Sequence, residues 1–285
     1  MQSVIRSAKR SRQLGRFIIY FILISAATIC IVPFIWMVLT SFKTNAEALR
    51  FPPTILPAKW IFTNYPKGLG KADFGRFTLN TLLLASTCTV GTIISAALVA
   101  YGFSHFQARG SKIWFALLLS TLMLPMQVTL VPQYLIYFHL GMLDSYWPMI
   151  IPAWLGGGAF NIFLYHQFFK SLPKELNEAA EIDGANSFQT FIRIMLPSVN
   201  SVMICVGVMS LVYNWNDFLV PLIYLNTSKK YTIAIGLQFL NSEQGTSKIG
   251  MMMAVALVTM MPVLILFFLM QKYFVQGIKI SGLKG

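Results

Sequence analysis

The sequence predicts an all-α, polytopic membrane protein: a helical bundle with six transmembrane helices. Of the 285 residues, 56% are apolar and only 11% are charged, and the mean hydropathy is +0.66. A soluble domain averages about 25% charged residues. Uncharged stretches recur along the chain, and most exceed the roughly 20 residues that a helix needs to cross the hydrocarbon core. A large soluble helical core would carry charges on its outer faces, and these stretches carry none.

The six spans are placed at 17–40, 78–104, 113–136, 147–169, 198–219 and 250–275. Five cations before the first span, within 1–16, resemble the basic region of a signal peptide. The apolar run behind them is too long for a signal peptide, and no small-residue cleavage site follows it. The first span is therefore interpreted as a retained helix behind a basic tail.

The net charge of +13 does not indicate nucleic-acid binding, because Lys and Arg gather on the cytoplasmic side of membrane proteins. With the N-terminus inside, the inner segments carry 13 of these cations and the outer segments 9. This modest bias predicts that both termini, including the 276–285 tail, are cytosolic. Cys30, Cys88 and Cys205 lie in apolar spans without a Cys-x-x-Cys pattern, which suggests packing rather than a disulfide or a zinc site.

Prolines and small residues mark where helices are interrupted or packed closely. Four prolines in the outer loop 41–76 preclude a long helix and favour an extended segment. The second span is rich in small residues, which favour close helix packing in lipid. Pro125 and Pro132 are expected to kink the third span, and broken helices often border a transport pathway.

The fourth and fifth spans supply candidates for a translocation path. Three consecutive glycines predict either an unwound, cavity-facing stretch or a tight helix crossing, and both alternatives stay open. Asp217 is an acid near a span, and intramembrane acids usually mark function. Counting about 1.5 Å per residue places it near the outer interface, where Trp215 and Asn216 resemble anchors and Asp217 could shape an outer gate. The candidates are Gly156, Gly157, Gly158, Asn161, Asn214, Asn216 and Asp217.

The polar loop 170–197 separates two apolar spans. Pro173 suits a first helical turn, and Gly184 is placed where a helix ends with positive φ. A second short helix is expected from Ser187, with Phe188, Phe191, Ile192 and Met195 turned toward the membrane, before Pro197 opens the fifth span. The predicted result is a helix–turn–helix parallel to the cytosolic surface. An ordinary loop with an interfacial amphipathic helix is the alternative.

This loop also matches a sequence motif at every fixed position. The pattern is E-A-A-x3-G-x9-I-x-L-P, carried by Glu178, Ala179, Ala180, Gly184, Ile194, Leu196 and Pro197. It resembles the loop by which permease subunits of ABC importers engage their ATPase. The segment Trp215–Phe218 and the short C-terminal tail are similar to the smaller, maltose-permease-like subunit of carbohydrate importers.

The resemblance implies a type I ABC importer transmembrane domain, with its core at 77–275. It implies ATPase coupling through the motif residues and Asp183, and contact with a binding protein through Asn241, Ser242, Glu243, Gln244 and Gly245. Composition alone would predict that the segment 241–245 is only a solvated connector. The implied partners are a larger permease subunit, an ATPase dimer, an extracytoplasmic solute-binding protein, the lipid bilayer and a sugar or oligosaccharide.

The chain has no Gly-x4-Gly-Lys-Ser/Thr pattern to hold ATP phosphates. ATP and Mg are therefore expected in the partner ATPase, with no cofactor, metal or catalytic residue in this chain. A secondary transporter driven by an ion gradient is the alternative, but it would place ionisable groups near the bilayer midplane, which is nearly free of them. A membrane enzyme would need clustered acids, His or Cys, and outside 175–183 the acids are scattered.

Overall fold

The computed structural model describes residues 2–106, 108–173, 175–242 and 248–282, and in this part of the chain it contains helices and no strand. The first helices are α1 (Gln2–Ser41), α2 (Asn45–Ala48), α3 (Asn64–Leu69), α4 (Phe74–His105), α5 (Ser111–Ser120), α6 (Met126–His139), α7 (Trp147–Trp154) and α8 (Ala159–Ser171). The remaining helices are α9 (Glu175–Ile182), α10 (Ser187–Thr190), α11 (Leu196–Ser198), α12 (Asn200–Asn216), α13 (Leu219–Tyr224), α14 (Ile233–Ser242) and α15 (Ile249–Gly282). A π-helix, Phe191–Met195, joins α10 to α11.

Helix length and hydropathy confirm a polytopic membrane protein. Four stretches of the described residues are long and apolar enough to cross a membrane: Gly15–Ser41, Phe74–His105, Trp147–Ser171 and Ile249–Gln271. Two bent helix pairs, Ser111–Met123 with Met126–His139 and Ser187–Ser198 with Asn200–Asn216, raise the number to six if each pair is one span. Four of the expected six spans are thus single apolar stretches, and the third and fifth expected spans overlap the two bent pairs.

The third span differs most from the sequence prediction, because 113–136 is not one kinked helix. Its two halves meet at 103°, and the backbone is extended at Leu124 and Pro125. A proline disfavours helical φ and ψ at the residue before it, so Pro125 ends the first half. Pro132 lies inside α6 without ending that helix.

The larger of two units comprises 73–238 and 259–285, and its core is built around α4. α4 packs against α7, α8 and α12. Ala96, Ala97 and Ala100 on α4 are fully buried, so the neighbouring backbones approach closely, as the small residues of the second span predicted. Larger side chains complete this core: Tyr101, Ile162, Tyr165, Phe169, Phe191, Met195, Val199, Val202 and Val206.

The other unit comprises 1–72 and 239–258. Its loop after α1 is not an extended segment throughout, because it contains α2 and α3. The ring of Phe42 packs within 5.4 Å of the rings of Trp60, Phe62 and Tyr65. Asn64 donates hydrogen bonds to the carbonyls of Ser41 and Lys43. Aromatic packing and these bonds fold the proline-rich loop back onto the end of α1.

The expected binding-protein contact lies mostly outside the described residues. Asn241 and Ser242 form the last turn of α14, whereas Glu243, Gln244 and Gly245 fall in the undescribed stretch 243–247. Their role stays a prediction.

Candidate functional site

The first helix of the 170–197 loop ends in a Schellman turn. The Ala185 N–H donates to the Ala180 carbonyl at 2.9 Å, and the Gly184 N–H donates to the Glu181 carbonyl at 3.0 Å. Gly184 has φ +77°, which an L side chain adopts at a cost and which glycine adopts freely. The glycine of the motif therefore ends α9 with positive φ, as the sequence predicted.

The second helix of the loop begins with a capping box that the sequence reading missed. The Asn186 side chain accepts from the Gln189 N–H, and the Gln189 side chain accepts from the Asn186 N–H, both at 2.9 Å. The Asn-x-x-Gln spacing ahead of Phe191 could have revealed it. Tyr101 on α4 then donates its hydroxyl to the Ser187 carbonyl at 3.2 Å, which ties this helix to the core.

The end of the motif lies in an irregular helix. Residues 191–195 form a π-helix, and Pro197 follows in the first turn of α11. A proline clashes with the carbonyl four residues earlier in a regular α-helix, and the wider π turn relieves that contact. Val199 then has φ −107° and ψ +24°, and the chain bends by 80° into α12. Ile194, Leu196 and Pro197 therefore form the corner between the loop and its span.

Two of the four aromatic and aliphatic side chains expected to face the membrane lie in the core instead. Phe191 and Met195 are buried, and the Phe191 ring lies 5.1 Å from that of Tyr101. Phe188 and Ile192 are exposed. The π-helix changes the angular spacing of these residues from 3.6 per turn, so a regular helical projection assigns the wrong face.

An exposed apolar and acidic surface remains on α9 and α10. Of the motif alanines, Ala180 is buried against the protein and Ala179 is exposed. Ile182 is 85% exposed and Phe188 is 64% exposed, and Glu178 is also exposed. We call Glu178, Ala179, Ile182 and Phe188 the loop face. Ile182 and Phe188 occupy variable positions of the motif, so the motif did not predict them as docking residues; the sequence predicted only that Phe188 faces the membrane.

The three consecutive glycines produce the unwound stretch that the sequence allowed. Gly156, Gly157 and Gly158 have φ values of +115°, +65° and +89°, and α7 ends before them while α8 begins after them. Asn161 donates its side-chain amide to the Gly157 carbonyl at 2.7 Å. This hydrogen bond stabilises the unwound backbone between α7 and α8.

The same stretch is also a tight crossing against α4. A Cβ on Gly157 would lie 2.8 Å from the Thr92 carbonyl oxygen and 3.0 Å from its Cα. Ser95 donates its hydroxyl to the Ala153 carbonyl at 2.7 Å. A Cβ on Gly91 of α4 would lie 2.5 Å from the Trp154 ring. The stretch is therefore both unwound and tightly packed on α4, and its place on a translocation path stays a prediction.

The Asn214–Asp217 group lies at the end of α12. Asn214 and Asn216 donate to carbonyls one turn earlier, those of Ser210 and Val212. The half-buried Asp217 accepts from the Val220 N–H, in the first turn of α13, at 3.3 Å. No hydrogen bond joins this group to the glycine stretch among the described residues. A role of Asp217 in an outer gate stays a prediction.

Trp215 is not an interface anchor. Its side chain is buried, and its ring N–H donates to the Thr259 carbonyl of α15 at 3.3 Å. A buried indole N–H needs such an acceptor. Trp215 therefore joins α12 to α15 within the larger unit.

An ion pair between Asp144 and Lys230 joins the α6–α7 and α13–α14 connections. Asp144 accepts from the Lys230 ammonium at 2.8 Å, from the Thr227 hydroxyl at 2.7 Å, and from the N–H groups of Asn226 and Thr227. These bonds, that from Lys230 first, hold the pKa of Asp144 well below its usual range. The carboxylate stays ionised as pH falls through that range, so the ion pair is lost only in strong acid. Separations of more than 80 residues hid this pair from the sequence.

The described residues contain no group of three or more His, Cys, Asp or Glu able to hold a metal ion. The site is instead a loop with an exposed apolar face, joined to a bundle whose helices are broken in the middle. This arrangement defines a polytopic helical membrane protein with an exposed apolar face on one loop.

Comparison with known proteins places the chain within that class. Residues 89–280 match the family model "Binding-protein-dependent transport system inner membrane component". The chain belongs to this family. It is 35% identical over 254 residues to the probable ABC transporter permease protein YurM of Bacillus subtilis, covering 89% of this chain and 83% of that protein.

Other relatives cover the chain almost completely. The lactose transport system permease protein LacG of Rhizobium radiobacter is 32% identical, covering 93% of this chain and 96% of that protein. The arabinooligosaccharides transport system permease protein AraQ of Halalkalibacterium halodurans is 29% identical, covering 91% and 93%. A chain from the crystal structure of a bacterial ABC transporter that imports alginate is similar in fold, with TM-score 0.79, 22% identity and coverage of 93% and 98%.

Proposed function

We propose that this chain is the permease subunit of an ATP-driven importer for a sugar or oligosaccharide, and that the loop face docks on the ATPase. The observation that carries the proposal is the exposure of Ile182 and Phe188 on a loop whose other side is anchored in the core. Apolar groups held away from the core by a capped turn favour a protein partner, because their burial would remove apolar surface from water.

The carbohydrate class is supported by the names of relatives. They include permeases for lactose, arabinooligosaccharides and diacetylchitobiose, although others are named for sn-glycerol-3-phosphate. The assembly proposed is this chain, a second permease subunit, an ATPase dimer and an extracytoplasmic solute-binding protein. ATP and Mg would be held by the ATPase, since this sequence lacks the phosphate-binding pattern.

Replacing Ile182 by Asp tests the docking proposal. Full burial of an isoleucine contributes about 1.5–3 kcal/mol, so its loss should weaken ATPase association by roughly 10- to 150-fold. Glu178→Lys, which reverses a charge on the same face, should also reduce association. The measurements are ATPase co-purification with the tagged permease and uptake of labelled sugar at equal membrane levels.

Ile55→Asp is the matched control, because Ile55 is 70% exposed but lies in the loop after α1. It should leave co-purification unchanged. Wild-type co-purification and uptake in Ile182→Asp would contradict ATPase docking at the loop face.

The proposed orientation places the loop face and both termini in the cytosol. The basis is the cation-rich segment before the first span together with an even number of spans. A reporter enzyme fused after Gly285 should be active only on the cytosolic side. Activity confined to the opposite side would refute this orientation.

A further inference from the structure

The backbone of Asp144 is unusual, because Asp144 is the one non-glycine residue in the described part of the chain with positive φ, at +51°. Such a conformation is uncommon for a residue with a side chain, and it persists where surrounding contacts hold it. The Asp144 N–H donates to the Tyr224 carbonyl at 2.8 Å, and the Lys230 ammonium donates to the Asp144 carbonyl. The α13–α14 connection therefore holds the backbone of Asp144, which itself lies in the α6–α7 connection.

Both oxygens of the Asp144 carboxylate are used by the same connection. Oδ1 accepts from the N–H groups of Asn226 and Thr227 at 3.0 and 2.9 Å. Oδ2 accepts from the Thr227 hydroxyl at 2.7 Å and from the Lys230 ammonium at 2.8 Å. Hydrogen bonds to an ionised group are stronger than neutral ones, and separating the two connections would break all four together. We call Asp144, Asn226, Thr227 and Lys230 the joint.

Further hydrogen bonds fix the joint to α4 and α7. Tyr146, at the start of α7, donates its hydroxyl to the Lys230 carbonyl at 3.0 Å. Asn80 on α4 donates its side-chain amide to the carbonyls of Lys229 and Tyr231 at 2.9 and 3.0 Å. The α13–α14 connection is thus held from two sides, by side chains far from it in sequence.

The helices that meet at the joint are interrupted at their other ends. α6 begins after the extended backbone at 124–125, α7 ends before the glycine stretch 156–158, and α13 begins after Asp217, whose ψ is +120°. Hinges in moving proteins are a few residues at the ends of helices, which absorb changes of φ and ψ. The backbone can therefore turn at these breaks, while the joint keeps the shared ends of the three helices together.

From these contacts we propose that Asp144 is a positioning residue, which keeps the joined ends of α6, α7 and α13 together as one body throughout the transport cycle. The proposal rests on the proposed function, since only a transporter passes through such a cycle. Asp144 acts through the α13–α14 connection and does not need to touch the cargo. The opposite arrangement is a joint that opens in each cycle, and it would break the four hydrogen bonds to one carboxylate for each sugar imported.

Substitutions of Asp144 test the proposal by comparing sugar uptake with ATP hydrolysis in the complete transporter. Asp144→Ala should lower uptake about tenfold, the equivalent of one hydrogen bond to a charged group, while ATP hydrolysis stays at the wild-type level because the loop face is unchanged. Asp144→Asn tolerates positive φ and keeps an acceptor for the two N–H groups, so it should lose less uptake. Asp73→Asn, which removes the exposed ion pair with Arg76, is the control and should change neither. A parallel fall of uptake and hydrolysis in the Asp144 variants would overturn the proposal, as would wild-type uptake in both.

A covalent bridge distinguishes a permanent joint from one that opens. Asp144→Cys and Thr227→Cys are combined in a parent protein whose Cys30, Cys88 and Cys205 are replaced by Ala. The two side chains are in contact at 2.7 Å, so a short bifunctional thiol reagent can link the cysteines. Linking them should restore most of the uptake that the unlinked variant lacks. Loss of the remaining uptake on linking would show that the joint opens, and unchanged uptake would show that joining the ends has no effect. Either result would overturn the proposal.

Spin labels measure the joint without relying on transport. They are attached through His139→Cys and Ser228→Cys, at two exposed positions on either side of the joint, in the same parent protein. The distance distribution between the labels should be narrow, should be the same in nucleotide-free and ATP-bound transporter, and should broaden with Asp144→Ala. A shift between the two states, or no broadening, would refute the joint as a permanent connection. Wild-type sugar uptake is scored separately, so a failed joint and a failed proposed function are distinguishable.

Discussion

Replacing Gly184 by proline is expected to reduce uptake below about a tenth of the wild-type rate at an unchanged membrane level. Proline fixes φ near −65°, whereas Gly184 has φ +77° and donates its N–H to the Glu181 carbonyl. The substitution also disfavours helical geometry at Asp183. The Schellman turn cannot form, and the proline costs about 3 kcal/mol or more in free energy. Loss of the turn would displace Ile182 and Glu178 from their positions on the loop face. The measurements are uptake and ATPase co-purification.

Gly184→Asn and Gly184→Val separate backbone geometry from side-chain size. Apart from the two neighbouring residues in the chain, no atom of the described residues lies within 4 Å of a Cβ at this position, so the Cβ of either side chain meets no steric clash. Asparagine tolerates positive φ, whereas a β-branched residue does not. Uptake should therefore fall slightly for Asn and strongly for Val. Equal uptake by all three variants would show that the turn does not set the loop face.

Gly157→Ala is expected to produce the largest loss of stability. The new Cβ would lie 2.8 Å from the Thr92 carbonyl oxygen, at a φ of +65°. Overpacking costs about 1–3 kcal/mol, and left-handed backbone adds about 1–2 kcal/mol for a residue with a side chain. The expected result is a lowered thermal unfolding temperature in detergent, together with reduced uptake, since α8 must move away from α4.

Gly141→Ala is the matched control for this variant. Gly141 has φ +67°, almost the same as Gly157, but a Cβ added to it would have no atom of the described residues within 4 Å. It should show only the backbone cost of about 1–2 kcal/mol. Equal destabilisation by the two substitutions would mean that close packing against Thr92 contributes nothing.

The loop of the candidate site was largely predictable because its signals are local. Gly184 at the end of α9 and the start of a helix at Ser187 follow from the preferences of single residues at helix ends, whereas Pro173 precedes α9 and does not lie in its first turn. The burial of Phe191 and Met195 was not predictable, because the π-helix ahead of Pro197 rotates their side chains into the core beside Tyr101. That rotation depends on packing against α4, which no local pattern contains.

By itself, the sequence determined that the chain is helical and crosses a membrane, and it located the motif and the breaking residues. These properties follow from hydropathy and backbone preferences summed over nearby residues. Only the tertiary structure decided that the glycine stretch is both unwound and pressed on Thr92, that Trp215 is buried, and that Asp144 pairs with Lys230. Each depends on atoms far apart in sequence, whose meeting is set by the packing of whole helices.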